Sequence, residues 1–332
     1  MIIFNITFDK EDKCYAPGET LFCHLHICVA EKFKARSLSI EIRGFGRTEW
    51  NVSESEMVNA RMGVAANKYV GHENYFMESR YLIGDHDANP IVIEPGTYHY
   101  DIKFTLPDIL PSSFEHHLGK ICYVVEAIYN IPRGFDRTSS EIFYITSDID
   151  VSQHLELQAP IKSIKEVPIG FCCCCLSDPL QMITVIPKNV FLTGETIPIT
   201  FEIDNNSNVR INYIKFELIE KLSFVATNPR VVRASDRKIV DKHYMHTIIE
   251  PYQNKLIKSE IYLDPDYFWK GFEGSVLFYC DYMIRVEIDP VGFSMNPADE
   301  MKIRIGNIPL RTDDTSVASY EDAPPEYNEI QN

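Results

Sequence analysis

Four adjacent cysteines, Cys172-Cys173-Cys174-Cys175, are the densest group of reactive side chains in the sequence. Thiolates are good zinc ligands, but four neighbours in a row cannot easily wrap one tetrahedral ion, and no second cysteine pair stands nearby in sequence. Flanked by Phe171 and Leu176, the block could instead receive reversible S-acylation, and the acyl chain would add membrane affinity. The plainest reading is a strand of small side chains packed between two domains. The histidines offer less. His116-His117 are adjacent and His243 and His246 are three apart, so on a strand the members of each pair face opposite sides. His24 and His26 share a face, where they read as ordinary outer-face residues. Solvent-facing or hydrogen-bonded roles are expected for all of them.

The motifs of common catalytic sites are missing. The sequence has no His-Glu-x-x-His, no P-loop and no Gly-x-Ser-x-Gly elbow, and Gly44-Phe-Gly46 lacks the third glycine and following helix of a dinucleotide site. We therefore assign no catalytic residue, no cofactor and no metal, and read the chain as a protein that binds other proteins rather than as an enzyme.

The elements that must present such binding surfaces follow from length and pattern. At 332 residues, two compact units of roughly 150 residues each are expected. Hydrophobic residues at 45% and charged residues at 24% exclude global disorder. The opening Met1-Ile-Ile-Phe-Asn-Ile-Thr-Phe8 meets Asp9, Glu11 and Asp12 without a basic n-region or a small-residue cleavage site, so it reads as a first strand, not a signal peptide. No run of about 18 apolar residues occurs, and no membrane-spanning helix is expected. Nine cysteines without a disulfide-scaffold spacing fit a reducing compartment, so the sequons at Asn5, Asn51 and Asn205 carry little meaning. A cytoplasmic chain is expected. Its net charge of −16 argues against a general binder of nucleic acid or anionic membrane, and Lys32 to Arg36 and Arg230 to Arg233 read as solvated faces.

Strand signals dominate. Leu21, Cys23, Leu25 and Ile27 point one way while Phe22, His24 and His26 point the other, and Ile197, Ile199, Phe201 and Ile203 repeat the pattern. Gly18-Glu-Thr20 precedes the first run and Gly194-Glu-Thr196 the second. The same offset places Leu38, Ile40 and Ile42 on Ile214, Phe216 and Leu218. With small gaps, Ile102, Phe104 and Leu106 match Ser259, Ile261 and Leu263, and Tyr123, Val125 and Ala127 match Tyr282, Ile284 and Val286. One sandwich duplicated is predicted, since the repeat is domain-sized. Leu21, Leu25, Ile27, Leu38, Ile40, Ile197, Phe201, Ile203, Ile214 and Phe216 are its expected inner-face residues. Alternation weakens between Asp148 and Phe171, where Pro160 and Pro168 interrupt it, though a short strand could still cross there. The expected division is a first sandwich over residues 1–150, a linker over 151–171, a second sandwich over 172–310, and a disordered acidic tail over 311–332.

Several segments, in this order, resemble the arrestin superfamily and within it the α-arrestin branch, the arrestin-domain-containing proteins. They are Tyr15-Ala-Pro-Gly-Glu19, Arg43-Gly44 ahead of Trp50, Leu106-Pro107 with Leu110-Pro-Ser-Ser-Phe114, and Gly119-Lys-Ile-Cys-Tyr-Val-Val-Glu-Ala127. The cysteine block, Leu192-Thr-Gly-Glu195, Asn205-Asn-Ser207 and Ile303-Arg-Ile-Gly-Asn-Ile-Pro-Leu310 continue the series. The resemblance implies an all-β fold of two tandem arrestin-like, immunoglobulin-type sandwiches whose concave faces bind cytoplasmic parts of membrane proteins. It also implies a tail that recruits a HECT-type ubiquitin ligase through Pro-Pro-x-Tyr motifs read by WW domains. Pro324-Pro325-Glu326-Tyr327 is such a motif, in one copy where family members often carry two. Pro324 and Pro325 would take a polyproline II turn in an aromatic groove, with Tyr327 filling the neighbouring pocket.

The implied role is an adaptor that links membrane-protein cargo to the ligase for endocytosis or sorting, peripherally at the plasma membrane or endosomes. The alternative is a scaffold of the same shape that works without ubiquitin. Two departures narrow the implication. Val29 and Ala30 stand about where the visual and β branch places an acid of its polar core, so phosphate-triggered activation of that kind is not implied. Arg230-Val-Val-Arg-Ala-Ser235 has no cysteine where the thioredoxin-binding member carries one, so no thioredoxin partner is expected.

Overall fold

The computed structural model describes residues 2–51, 68–85, 87, 89–151, 159–168, 179–292 and 296–308. Every regular element among them is a strand. In the first half these are β1 (Ile2–Phe8), β2 (Cys14–Tyr15), β3 (Thr20–Val29), β4 (Phe33–Ala35), β5 (Ser37–Asn51), β6 (Lys68–Gly84), β7 (Ile91–Ile93), β8 (Gly96–Thr105), β9 (Phe114–His116), β10 (Gly119–Asn130) and β11 (Arg137–Ile145). In the second half follow β12 (Ile161–Val167), β13 (Leu180–Ile186), β14 (Val190–Leu192), β15 (Thr196–Asn205), β16 (Ile211–Ala226), β17 (Val232–Met245), β18 (Gln253–Tyr262), β19 (Phe278–Pro290) and β20 (Ala298–Gly306). Among the described residues no helix is long and apolar enough to cross a membrane.

Each half stacks two sheets. In the first, β1-β3-β8 packs on β2-β11-β10-β5-β6, with β9 beside β10 and β4 paired to β7. In the second, β12-β13-β15-β18 packs on β14-β20-β19-β16-β17. Period-two alternation produces this arrangement because one face of each strand must leave water while the other stays solvated. All ten expected inner-face residues are fully buried. Removing each such aliphatic or aromatic side chain from water contributes about 1.5–3 kcal/mol.

The duplication extends to the loops. Gly18 and Gly194 both have positive φ, 77° and 85°, a conformation open to glycine and costly for residues with a Cβ. The following glutamates hold the two turns in the same way. Glu19 accepts from the Ala16 amide at 2.9 Å and pairs with Lys10 at 2.6 Å. Glu195 accepts from the Leu192 amide at 3.0 Å and pairs with Lys188 at 2.8 Å. A Gly-Glu pair before a strand is thus a turn lock used twice.

The copies differ at one sheet edge. Within the stretch expected to be linker, Ile161 to Val167 forms β12 and runs antiparallel to β13 from Ile161↔Ile186 to Val167↔Leu180. In the first sandwich β1 occupies the place of β13 and is paired to β3, and among the described residues no strand lies on its other edge.

Candidate functional site: the seam between the sandwiches

Phe114 of β9 is the centre of the contact between the halves. Its ring meets Phe272 edge-on at 5.0 Å and lies 6.2 Å from Phe278 and 6.4 Å from Phe224, centroid to centroid. Leu222, Phe224, Val225, Phe272, Leu277 and Phe278, all of the second half, belong to the same apolar cluster as the first sandwich's core. Backbones come close enough here to exclude a side chain. A Cβ on Gly119 would sit 2.7 Å from the Arg47 carbonyl oxygen and 3.0 Å from the Phe278 ring. That explains why the segment from Gly119 to Ala127 must open on glycine.

Polar groups lock the same contact. The Thr48 hydroxyl donates to the Val225 carbonyl at 2.6 Å, and the Val70 amide donates to the Asn228 carbonyl at 2.9 Å. Glu73 of β6 reaches across with both oxygens. Oε1 accepts from the Ser275 hydroxyl and from Tyr75 at 2.7 Å, and Oε2 accepts from the Val276 amide at 2.8 Å. Burial pushes the Tyr75 phenol well above its ordinary range, so it stays protonated and serves Glu73 as a donor. His116 takes the Leu118 amide on Nδ1 at 3.3 Å, stacks on Phe224 and places Nε2 3.1 Å from Asp236 of β17. At the far side Asn307 binds the crossing chain, accepting from the Ile149 amide at 2.6 Å and donating to Asp148 at 3.0 Å.

Buried in this way, the seam fixes how the two outer sheet faces stand relative to one another. On the first, Ile142 and Tyr144 are exposed beside a cleft of about 270 Å³ lined also by Phe114, Lys120 and Cys122. On the second, charges neutralise one another. Lys215 pairs with Glu287 at 2.9 Å and Glu217 at 3.2 Å, Arg285 with Glu287 at 2.6 Å, and Arg237 with Glu300 at 2.8 Å. Burial raises the Glu287 carboxyl, but the hydrogen bonds from Lys215 and Asn296 outweigh it and hold the group below its ordinary value. Next to the seam, Glu220 is almost fully buried and accepts from Lys270 at 2.7 Å and Tyr267 at 3.0 Å. Such faces suit protein-sized partners recognised by shape and hydrogen bonding.

The residues singled out by the sequence pattern are distributed unevenly across this picture. Pro324, Pro325 and Tyr327, like Cys172, Cys173, Cys174 and Cys175, lie outside the described residues. His116 and His117 do not face opposite sides. β9 ends at His116 and a turn begins at His117, which brings the rings to 4.1 Å. His243 hydrogen-bonds Ser259 and stacks on Phe216, whereas His246, past the end of β17, packs on Tyr213 and Tyr244. Among the described residues no three metal-ligating side chains converge. Buried Cys23 and half-buried Cys280 are poor nucleophiles, because removal from water pushes both thiols up to about 12.

The sequence pattern does not mark Glu73, Phe272 or Phe278, and it marks Asn307 only as part of the Ile303 to Leu310 segment of the family resemblance, without its partners. One signal was present: from Phe216 to Glu220 every residue of β16 is buried, and Leu218-Ile219 and Phe224-Val225-Ala226 put apolar side chains on both parities. A strand apolar on both faces is covered on both faces.

The model of the arrestin (or S-antigen) N-terminal domain matches residues 4–152, and that of the arrestin C-terminal domain matches residues 176–310. Human arrestin domain-containing protein 4 is 25% identical over 259 residues, which is 76% of this chain and 60% of the relative. Arrestin domain-containing protein 17 of Caenorhabditis elegans is 25% identical over 223 residues, 64% of this chain and 50% of its own length. Arrestin domain-containing protein 1 of Rattus norvegicus is 25% identical over 232 residues, 68% and 48% respectively. The chain therefore spans between about half and three fifths of these relatives. With both domain models in tandem on two sandwiches joined through Phe114 and Glu73, the chain belongs to the arrestin superfamily, in its α-arrestin branch.

Proposed function

We propose that this chain is a trafficking adaptor that acts in the cytoplasm, at the plasma membrane or endosomes. Its sandwiches hold the cytoplasmic part of a membrane protein, and its tail brings a HECT-type ubiquitin ligase. The observation that carries this reading is Pro324-Pro325-Glu326-Tyr327 placed after an arrestin body. The fixed seam supports it, because a rigid pair of outer faces can recognise a folded or looped cargo segment without a prior ordering cost. Proline's fixed φ lowers the cost of binding the tail, and the Tyr327 ring is the large anchor. Affinity for a single WW domain should be micromolar or weaker, because few residues are buried. Phosphate on Tyr327 should block it, since a doubly charged group would have to enter an apolar pocket.

Titration of a peptide of residues 316–332 against ligase WW domains tests the ligase link, beside Tyr327→Ala and Pro325→Ala peptides. Binding that both substitutions abolish is expected. If the unaltered peptide binds none of the domains, or the Tyr327→Ala peptide binds equally well, the ubiquitin-independent scaffold becomes the better account. The single copy of the motif favours that second reading to the extent that strong recruitment needs two.

A further inference from the structure

On β3 the odd residues Leu21, Cys23, Leu25, Ile27 and Val29 are buried, so His24 and His26 stand on the outer face of the β1-β3-β8 sheet. The register of β8 sets His99 directly opposite His26 and Asp101 directly opposite His24. The His26 and His99 rings are in contact, with centroids 3.7 Å apart and planes at 69°. His24 Nδ1 lies 2.7 Å from the Asp101 carboxylate. Three imidazoles and one carboxylate thus fill two neighbouring rungs of the outer face, with the Leu25–Tyr100 rung between them. The neighbours leave them uncontested: β1 presents Asn5 opposite His26 and Thr7 opposite His24, and the rung on one side is Cys28 with Thr97. On the other side, the next rung of this face is Phe22 with Lys103, beyond the Cys23–Ile102 rung.

Facing imidazoles gain a ring contact but no attraction of opposite charges across the strands. What they do offer is two imidazole rings with centroids 3.7 Å apart, close enough for one nitrogen of each to reach the same ion. We propose that this face is a binding site for a borderline divalent cation of the zinc class, chelated by His26 and His99 with His24 as the third ligand. Neutral imidazole is a preferred ligand of such ions. A carboxylate on Nδ1 of a histidine is the arrangement that fixes a ligating ring and leaves Nε2 to face the ion, and Asp101 gives it to His24. In the described arrangement no three donors converge, so the rings of His26 and His99 complete the set by turning toward Nε2 of His24, which Asp101 keeps in place. The remaining positions stay open to solvent, which makes the site exchangeable and unlike a closed four-ligand structural one.

The test is calorimetric titration of the full chain with zinc chloride. Cys172 to Cys175 would compete, so each is first changed to serine (Cys172→Ser, Cys173→Ser, Cys174→Ser, Cys175→Ser) to give the background chain. One site is expected, weakened about tenfold or more by His26→Asn or His99→Asn and less by His24→Asn, with His243→Asn as the unchanged control. The substituted residues are on an outer face, and circular dichroism should show the fold retained. Nuclear magnetic resonance of the imidazole nitrogens provides a second readout, in which zinc should shift the ring signals of His26 and His99 together. The proposal is overturned if the background chain takes up no zinc at about 100 µM. It is equally overturned if the His26→Asn and His99→Asn chains bind as the background chain does.

Discussion

Matched strand for strand, β1, β3 and β8 of the first sandwich answer to β13, β15 and β18 of the second, yet the two are completed in different ways. The second gains β12 along the edge of β13, and the buried residues of its apolar cluster all come from its own half. The first, among the described residues, leaves the corresponding edge of β1 unpaired and draws six side chains of the other half into its cluster, Phe278 among them. One copy is self-contained and the other is finished by its neighbour. Duplication thus yields one semi-rigid body instead of two beads, since the domains cannot separate without opening a core.

The largest effects should come from the two core phenylalanines. Phe216→Ala and Phe278→Ala should each cost about 3–5 kcal/mol, because each removes a fully buried ring. Their reach should differ. Amide hydrogen exchange should speed up only in the second sandwich for Phe216→Ala, but in both for Phe278→Ala. Unchanged exchange across β10 and β5 in the Phe278→Ala chain would break the comparison.

Glu73→Ala should cost less, about 1–3 kcal/mol in chemical denaturation, by leaving Ser275, Tyr75 and the Val276 amide without their acceptor. A cost below about 0.3 kcal/mol would show that the domains are held by the aromatic contact alone.

The smallest effect belongs to the outer face of the second sandwich. The hydrogen bond from Arg237 holds the Glu300 carboxyl below its ordinary value. A carboxyl with a lowered folded pKa contributes stability above its unfolded value, near 4.3, and that contribution is lost as pH falls through the folded value. Arg237→Ala should therefore cost about 0.2–1 kcal/mol at neutral pH, with the difference shrinking below about pH 4. Urea unfolding at stepped pH checks the sign. A gap that widens in acid would exclude Glu300 as the group responsible.

The strand cores could be read from the sequence because alternation is local. Leu25 and Ile27 declare their face within five residues, and the repeated Gly-Glu declares its turn within three. The seam could not. Gly119 is required by Phe278, and Glu73 by the Val276 amide, and such partners far apart in sequence leave no periodic trace. Resemblance marked Phe114 and Gly119 as belonging to a family pattern without saying what they touch. β12 was legible only as a short strand that could cross the linker, for another reason. Ile161-Lys-Ser-Ile-Lys-Glu-Val167 is an edge strand, and the lysines and glutamate that keep an edge soluble also hide its pattern. His26 and His99 were separable by sequence and joined only by the register of β3 on β8.

The borrowed phenylalanine also sets a clock. During synthesis the strands of the first sandwich are complete once β11 has been made, but Phe278 follows only after more than a hundred further residues. At roughly 5–20 residues per second the unfinished core waits on the order of ten seconds, with Phe114 and its neighbours open to water. Contacts so distant in sequence also form slowly once the chain is free. The nascent chain is thus most exposed to chaperones, and to aggregation, midway through its own translation, and a chain stalled before Phe278 would keep the exposed face of an intermediate indefinitely.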